Sequence, residues 1–293
     1  MFYLPYKFKS QDEPTTPKGP NFSRAPVVKT IIDGTKISLK LPRHKTIREV
    51  GYVSPKSAIT LSESNFEYVD KKKYGWKVNR FISRIWDFNG PNFIGRVGDL
   101  SLVGFVLTSS SQKKETSNFH PNFFESVISN YLLDFYCKHE DRYELDEPYR
   151  WMYQAPVNWV AIDVGDNLQA AKFDVFNQHD STTGEMETFV FIPVSDNHAI
   201  VYILKSIRKT NFRNDIPIDE WINPQPFIEL REQIISSITI ELSEDAKKQR
   251  ELALRGVANP KLSETFAPID WPKDGVLKEK FDIENDDGWG EYS

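Results

Sequence analysis

Between His120 and Asp141 the chain reads HPNFFESVISNYLLDFYCKHED. Phe123, Phe124, Val127, Ile128, Tyr131, Leu132, Phe135 and Tyr136 recur there at alternating spacings of one and three. That spacing lays one broad apolar stripe along an α-helix, and such a stripe must be buried against another layer. Asn122, with Glu125 three residues on, resembles a capping box at the helix start.

The partner layer is legible on both sides of the helix as strand-forming runs. VVKTII, Asp33-Gly34 and TKISLKL form a hairpin pattern, because the Asp-Gly pair tolerates the positive φ angles of a type I′ turn. SAITL, WKVNRFISRIW and SLVGFVL follow. In the middle run Trp76, Val78, Ile82 and Trp86 share one parity and Lys77, Asn79, Ser83 and Asp87 the other, the pattern of a half-buried strand. Beyond the acidic linker DRYELDEP come WVAIDV, LQAAKFDVF, TFVFIPV and AIVYILKSI. A Pro-rich connection, IPIDEWINPQP, leads to a helix beginning near Phe227, with Leu230, Ile234 and Ile238 at helical spacing. SSITIEL can extend as a strand, and SEDAKKQRELAL fits a further helix.

Strands followed by a helix, twice over, predict an α+β fold of two mainly antiparallel sheet units, residues 27–142 and 147–256. The order of elements carries the parallel between the units; residue identity does not. Pro5, Pro14, Pro17, Pro20 and Pro26 mark residues 1–26 as an extended arm. Residues 257–293 read as an irregular acidic tail, whose segment from 282 onward holds Asp282, Glu284, Asp286, Asp287 and Glu291 and no basic side chain.

At 293 residues, 39% of them hydrophobic and 27% charged, the chain can bury a sizeable core. Cys137 is the only cysteine, so no intramolecular disulfide or thiolate metal cage forms, and a reducing compartment fits. MFYLPYKFKSQDEP lacks the apolar core of a secretory signal, and no run approaches the roughly 18 apolar residues of a membrane helix. These features lead to an expectation of a cytoplasmic protein with no membrane partner. A net charge of −5 argues against a surface built to neutralise phosphates. Lys71, Lys72 and Lys73, flanked by Tyr68, Tyr74 and Trp76, are read as a turn between strands rather than a nucleic-acid platform.

Chemistry-bearing residues do not assemble into a motif. Cys137, His139, Glu140 and Asp141 lie close in sequence, but on a continuing helix position 139 points about 200° away from 137, so four ligands cannot converge. HExxH, GxSxG and phosphate-loop spacings are missing, and Gly90, Gly95 and Gly98 match none of them. His179 and Asp180 lie in NQHDSTTGE, a run of turn formers that reads as a hairpin loop. His44, His120 and His198 have no motif context, and neither Asp70-Lys71-Lys72 nor Asp245-Ala246-Lys247 exceeds chance. No cofactor or metal is expected.

Binding fits these features better than turnover. The expectation is a non-catalytic immunity or escort protein that binds and occludes a basic bacterial toxin domain, since aromatic anchors and excess carboxylates suit such a partner. Its contacts are Trp289 and Tyr292 with the tail carboxylates Asp282, Glu284, Asp286 and Asp287, and secondly the loop of His179 and Asp180. Two alternatives are a hydrolase or nuclease-like enzyme with a dispersed site around Asp163, Asp166, His179 and Glu185, and a structural subunit of a phage or secretion assembly.

Overall fold

The computed structural model describes residues 14–46, 52–62, 65–68, 75–91, 95–109, 116–137, 152–177, 184–209 and 217–271. Its elements begin with β1 (Val27–Ile32), β2 (Thr35–Lys40), β3 (Ala58–Ile59), β4 (Glu67–Tyr68), β5 (Trp76–Asn89), β6 (Arg96–Ser109) and α1 (Pro121–Cys137). They continue with β7 (Tyr153–Asp163), β8 (Gln169–Asn177), β9 (Met186–Pro193), β10 (His198–Arg208), α2 (Ile218–Trp221), α3 (Gln225–Ser236), β11 (Thr239–Glu241) and α4 (Glu244–Ala253).

The architecture is α+β, with two mainly antiparallel sheets. The smaller has the order β11-β2-β1-β3, and the larger β4-β5-β6-β10-β9-β8-β7. The Asp33-Gly34 hairpin forms as its sequence predicts, with both residues at positive φ, 41° and 83°, and β1 in register with β2 from Val27↔Lys40 to Ile32↔Thr35. β6 pairs with β10 along the whole of β10, from Gly98↔Arg208 to Thr108↔His198. Strands from both halves of the chain therefore share the large sheet, and β11 crosses to the small one. The midpoint of the chain does not coincide with a boundary between sheets.

Both faces of the large sheet are covered, which is why its central strands read as continuous apolar runs. In β10, Ile200, Tyr202 and Leu204 face one core while Ala199 and Val201 face the other. The first core is closed by the small sheet, α3 and α4; the second by α1 and by Leu262, Phe266, Ile269 and Trp271 from the segment after α4. Two-sided burial also changes β5. A register shift between Arg80 and Ile82 rotates the strand, so Trp76 and Val78 belong to the α1 core while Ile82 and Trp86, of the same parity, belong to the other. Asn79 and Ser83 are buried as well, so β5 is not the half-buried strand that its alternation predicts.

The helix starts differ from expectation too. α1 begins at Pro121, a residue suited to the first helical position, which puts Asn122 inside the helix. Glu125 does not close a capping box: it is buried, and its carboxylate accepts from the Ser263 backbone N–H at 2.6 Å and the Ser263 hydroxyl at 3.0 Å. It thereby ties the segment after α4 to α1. In α4, Ser243 is the N-cap, its hydroxyl accepting from Ala246 N–H. The described part of the N-terminal arm is also pinned, through a bridge between Thr15 and Ile222 and another between Lys18 and Asn89.

Tyr202, at the centre of the sheet, is fully buried, and among the described residues its hydroxyl has no hydrogen-bond partner. Its ring packs edge-on against Phe81 at a centroid distance of 5.9 Å. Burial also pushes the phenol pKa up, so the group is neutral at any ordinary pH. Because the hydroxyl is desolvated without compensation, Tyr202→Phe is expected to keep or raise stability, by up to about 1 kcal/mol in urea unfolding. A clear loss would mean that the hydroxyl is paired.

Candidate partner-binding rim

The last turn of α1, the start of β7 and the segment after α4 meet at one end of the large sheet. Tyr136, on the apolar stripe of α1, stands 4.6 Å in ring-centroid distance from Tyr153, the first residue of β7. The Trp271 ring lies 6.0 Å from Tyr136, and its indole N–H donates to the Tyr153 carbonyl at 2.7 Å. Tyr153 is in register with Asn177, the last residue of β8. Asn177 lies two residues before His179, and Trp271 lies within the acidic tail, eleven residues before Asp282. The described chain leading to both sequence candidates therefore ends at one aromatic seat.

Beside the seat, β9 and β10 supply a charged cluster. Lys205 sits opposite Glu187 in register; its ammonium donates to Glu187 at 3.0 Å and also to Glu185. The Tyr136 hydroxyl donates to the other Glu187 oxygen at 2.9 Å. Burial works to lower the Lys205 pKa, but Glu187 and Glu185 outweigh it and raise it. Desolvation first, and then the Glu187 carboxylate, push the Tyr136 phenol well above its usual range. At neutral pH the cluster holds one ammonium, two carboxylates and a neutral phenol, which leaves it net negative.

These groups satisfy one another, and that is the geometry of an ion-pair lattice rather than of a reaction centre. The acidic residues considered for an enzyme are not gathered here. Asp163 and Asp166 lie at the β7–β8 turn, whereas Glu185 precedes β9 at the opposite end of the sheet. Asp163 accepts from Gly165 N–H, and Asp166 from Leu242 N–H. Among the described residues no group of three or more His, Cys, Asp or Glu is placed to hold a metal ion.

Of the remaining candidates, Trp289, Tyr292, Asp282, Glu284, Asp286, Asp287, His179 and Asp180 lie outside the described residues, as do Lys71, Lys72, Lys73, His139, Glu140 and Asp141. Trp76 is buried with its indole N–H on Asp134 at 2.6 Å, so its face is not open for base stacking. Asp245 accepts from Gln249, and Lys247 donates to Glu244, as ordinary pairs on α4.

A polar cluster under α3 was not legible in the sequence. Asp174 on β8 accepts from Asn158 at 3.0 Å and from the Thr188 hydroxyl at 2.5 Å, with the Arg231 guanidinium 3.7 Å away. Asp174, Thr188 and Arg231 are all buried. The available signal was a charged residue inside each of two apolar patterns, Asp174 in LQAAKFDVF and Arg231 beside Leu230 on the α3 stripe.

No helix among the described residues is long and apolar enough to cross a membrane. No protein-family model, curated protein or solved structure matches the chain.

Proposed function

We propose that this chain is a non-catalytic protein-binding protein, a cytoplasmic immunity or escort protein that binds a basic bacterial toxin domain and occludes it. The observation that carries the reading is that Asn177 and Trp271, the last described residues before the two candidate contact segments, both lie at one rim formed by Tyr136, Tyr153 and the net negative Lys205, Glu185 and Glu187 cluster. Tyr136 and Tyr153 are buried and hold the rim in place, so a partner seated there meets the partly exposed charges of Lys205, Glu185 and Glu187. The tail adds Asp282, Glu284, Asp286 and Asp287, with Trp289 and Tyr292 as anchors. Aromatic anchors supply buried area, and the carboxylates steer a basic partner toward the rim.

The test is capture from lysate of the native cells at low salt, with the full chain and a version lacking residues 282–293 side by side. One basic protein is expected to come stoichiometrically with the full chain, to dissociate as salt rises, and to be lost on truncation. Equal capture by the truncated chain would remove the tail from the contact. Recovery of the chain alone would overturn the reading.

A further inference from the structure

Between β2 and β3 the described chain meets the edge of β5 twice, at Lys45, which bridges Trp86, and at Val53, which bridges Ser83. Arg84 lies between those two bridges and is only 8% exposed. Its guanidinium is held on one side, where Nη1 donates to the Pro42 carbonyl at 2.6 Å, with the Leu41 carbonyl at 3.5 Å. Nε is fully buried without a partner, whereas Nη2 keeps an open surface and bonds to no described residue. Among the described residues no carboxylate pairs with Arg84. A buried cation without a counterion is costly, and proteins ordinarily pair such a charge.

Two further donors stand beside it. His44 Nδ1 accepts the Ile85 backbone N–H at 3.0 Å, so the neutral imidazole carries its proton on Nε2. Tyr52 is 49% exposed, with its ring centroid 4.7 Å from that of His44. Its phenol is close enough to act on the Arg84 charge, and Arg84 is close enough to act on His44, so the three side chains are mutual neighbours. Neither His44 Nε2–H nor the Tyr52 hydroxyl has an acceptor among the described residues. The carboxylate that reaches His44, Asp87, is already engaged by the Arg96 guanidinium at 2.7 Å and the Thr46 hydroxyl at 3.1 Å.

We propose that Arg84, His44 and Tyr52 bind a tetrahedral oxyanion of the phosphate kind. Arg84 supplies the counter-charge and donates through Nη2, while His44 Nε2–H and the Tyr52 hydroxyl donate to further oxygens. A phosphate has an oxygen for each of these three donors; a carboxylate has only two, and it carries less charge. The buried bonds of Arg84 to Pro42 and of His44 to Ile85 fix two of the donors before the anion arrives. The site lies on β5, on the far side of the large sheet from the rim on β7 and β8, so it is independent of the partner-binding reading.

Isothermal titration of the full chain with inorganic phosphate tests the assignment, beside acetate at the same ionic strength. Phosphate is expected to bind and to raise the melting temperature, with acetate at least about tenfold weaker. Tyr52→Phe, at an exposed position, is expected to weaken phosphate about tenfold while its melting temperature without phosphate is unchanged. Arg84→Met is expected to abolish binding, and its melting temperature without phosphate stays or rises, because the uncompensated cation is gone. The Pro42 carbonyl still accepts from the Trp86 indole N–H in that variant. An Arg84 kept only for its bonds to Leu41 and Pro42 would lower the melting temperature of Arg84→Met and leave the unsubstituted chain indifferent to phosphate. No binding of phosphate at millimolar concentration, equal affinity for acetate, or undiminished binding by Tyr52→Phe would each overturn the proposal.

Discussion

Replacing Gly98 by alanine is expected to destabilise the fold by about 3 kcal/mol, the upper part of the range for overpacking a close contact. Gly98 lies in β6, between Phe88 of β5 and Arg208 of β10 in the pairing register. A methyl group there would come 2.5 Å from the Ile207 carbonyl oxygen and 2.9 Å from the Phe227 ring. The first of these is backbone of the neighbouring strand and cannot turn aside. The second belongs to the stack of Phe227 on Phe88, 3.9 Å between centroids and 20° between planes, which seats α3 on the sheet. The absent side chain is what lets α3 come down on the seam between β6 and β10. Urea unfolding of Gly98→Ala checks this, with Gly95→Ala as the comparison because no described residue beyond its chain neighbours comes within 4 Å of a methyl group there. Gly95 has a φ of 76°, so its variant is expected to lose only about 1 kcal/mol from backbone strain. Equal losses at the two positions would show that packing at the seam is not the cause.

Asp174→Ala is expected to cost a similar amount, about 3 kcal/mol, for an electrostatic reason. Removing the carboxylate leaves the buried Thr188 hydroxyl without its acceptor and deprives Arg231 of its closest charge on the sheet. Asp174→Asn keeps an acceptor of the same shape and is expected to lose about half as much. Pairing Asp174→Ala with Arg231→Met is expected to recover part of the loss, since no buried guanidinium then remains. The measurement is a double-mutant cycle in thermal or urea unfolding. Strict additivity of the two substitutions would mean that the charges are not coupled across the α3 contact.

The strands were readable because their side chains report burial directly. The VVKTII and TKISLKL hairpin, TFVFIPV, AIVYILKSI and the helix from Phe123 to Tyr136 all form where their patterns place them. What the sequence did not reveal depends on long-range pairing. The register shift at Arg80 sends Trp76 and Trp86 to opposite cores, and no local pattern announces a bulge. Glu125 has the spacing of a capping residue, yet Ser263, far along the chain, takes its carboxylate. Asp174 and Arg231 look like isolated exceptions to two apolar stripes until α3 is laid over β8. Of the candidate site, composition gave the acidic tail and its aromatic residues. That Asn177, just before the His179 stretch, and Trp271, the last described residue of the tail, lie at the same rim followed only from the pairing of Tyr153 with Asn177 and the hydrogen bond from Trp271.

The central claim is that partner binding occurs at the rim where these two segments depart. Hydrogen exchange of the full chain, free and saturated with the captured partner, tests it most directly. Protection is expected in peptides covering residues 178–187 and 272–293 and at the adjoining starts of β7 and β9, with the β7–β8 turn and the start of α1 unchanged. Protection confined to that opposite end of the sheet, with the rim exchanging as in the free chain, would contradict the account.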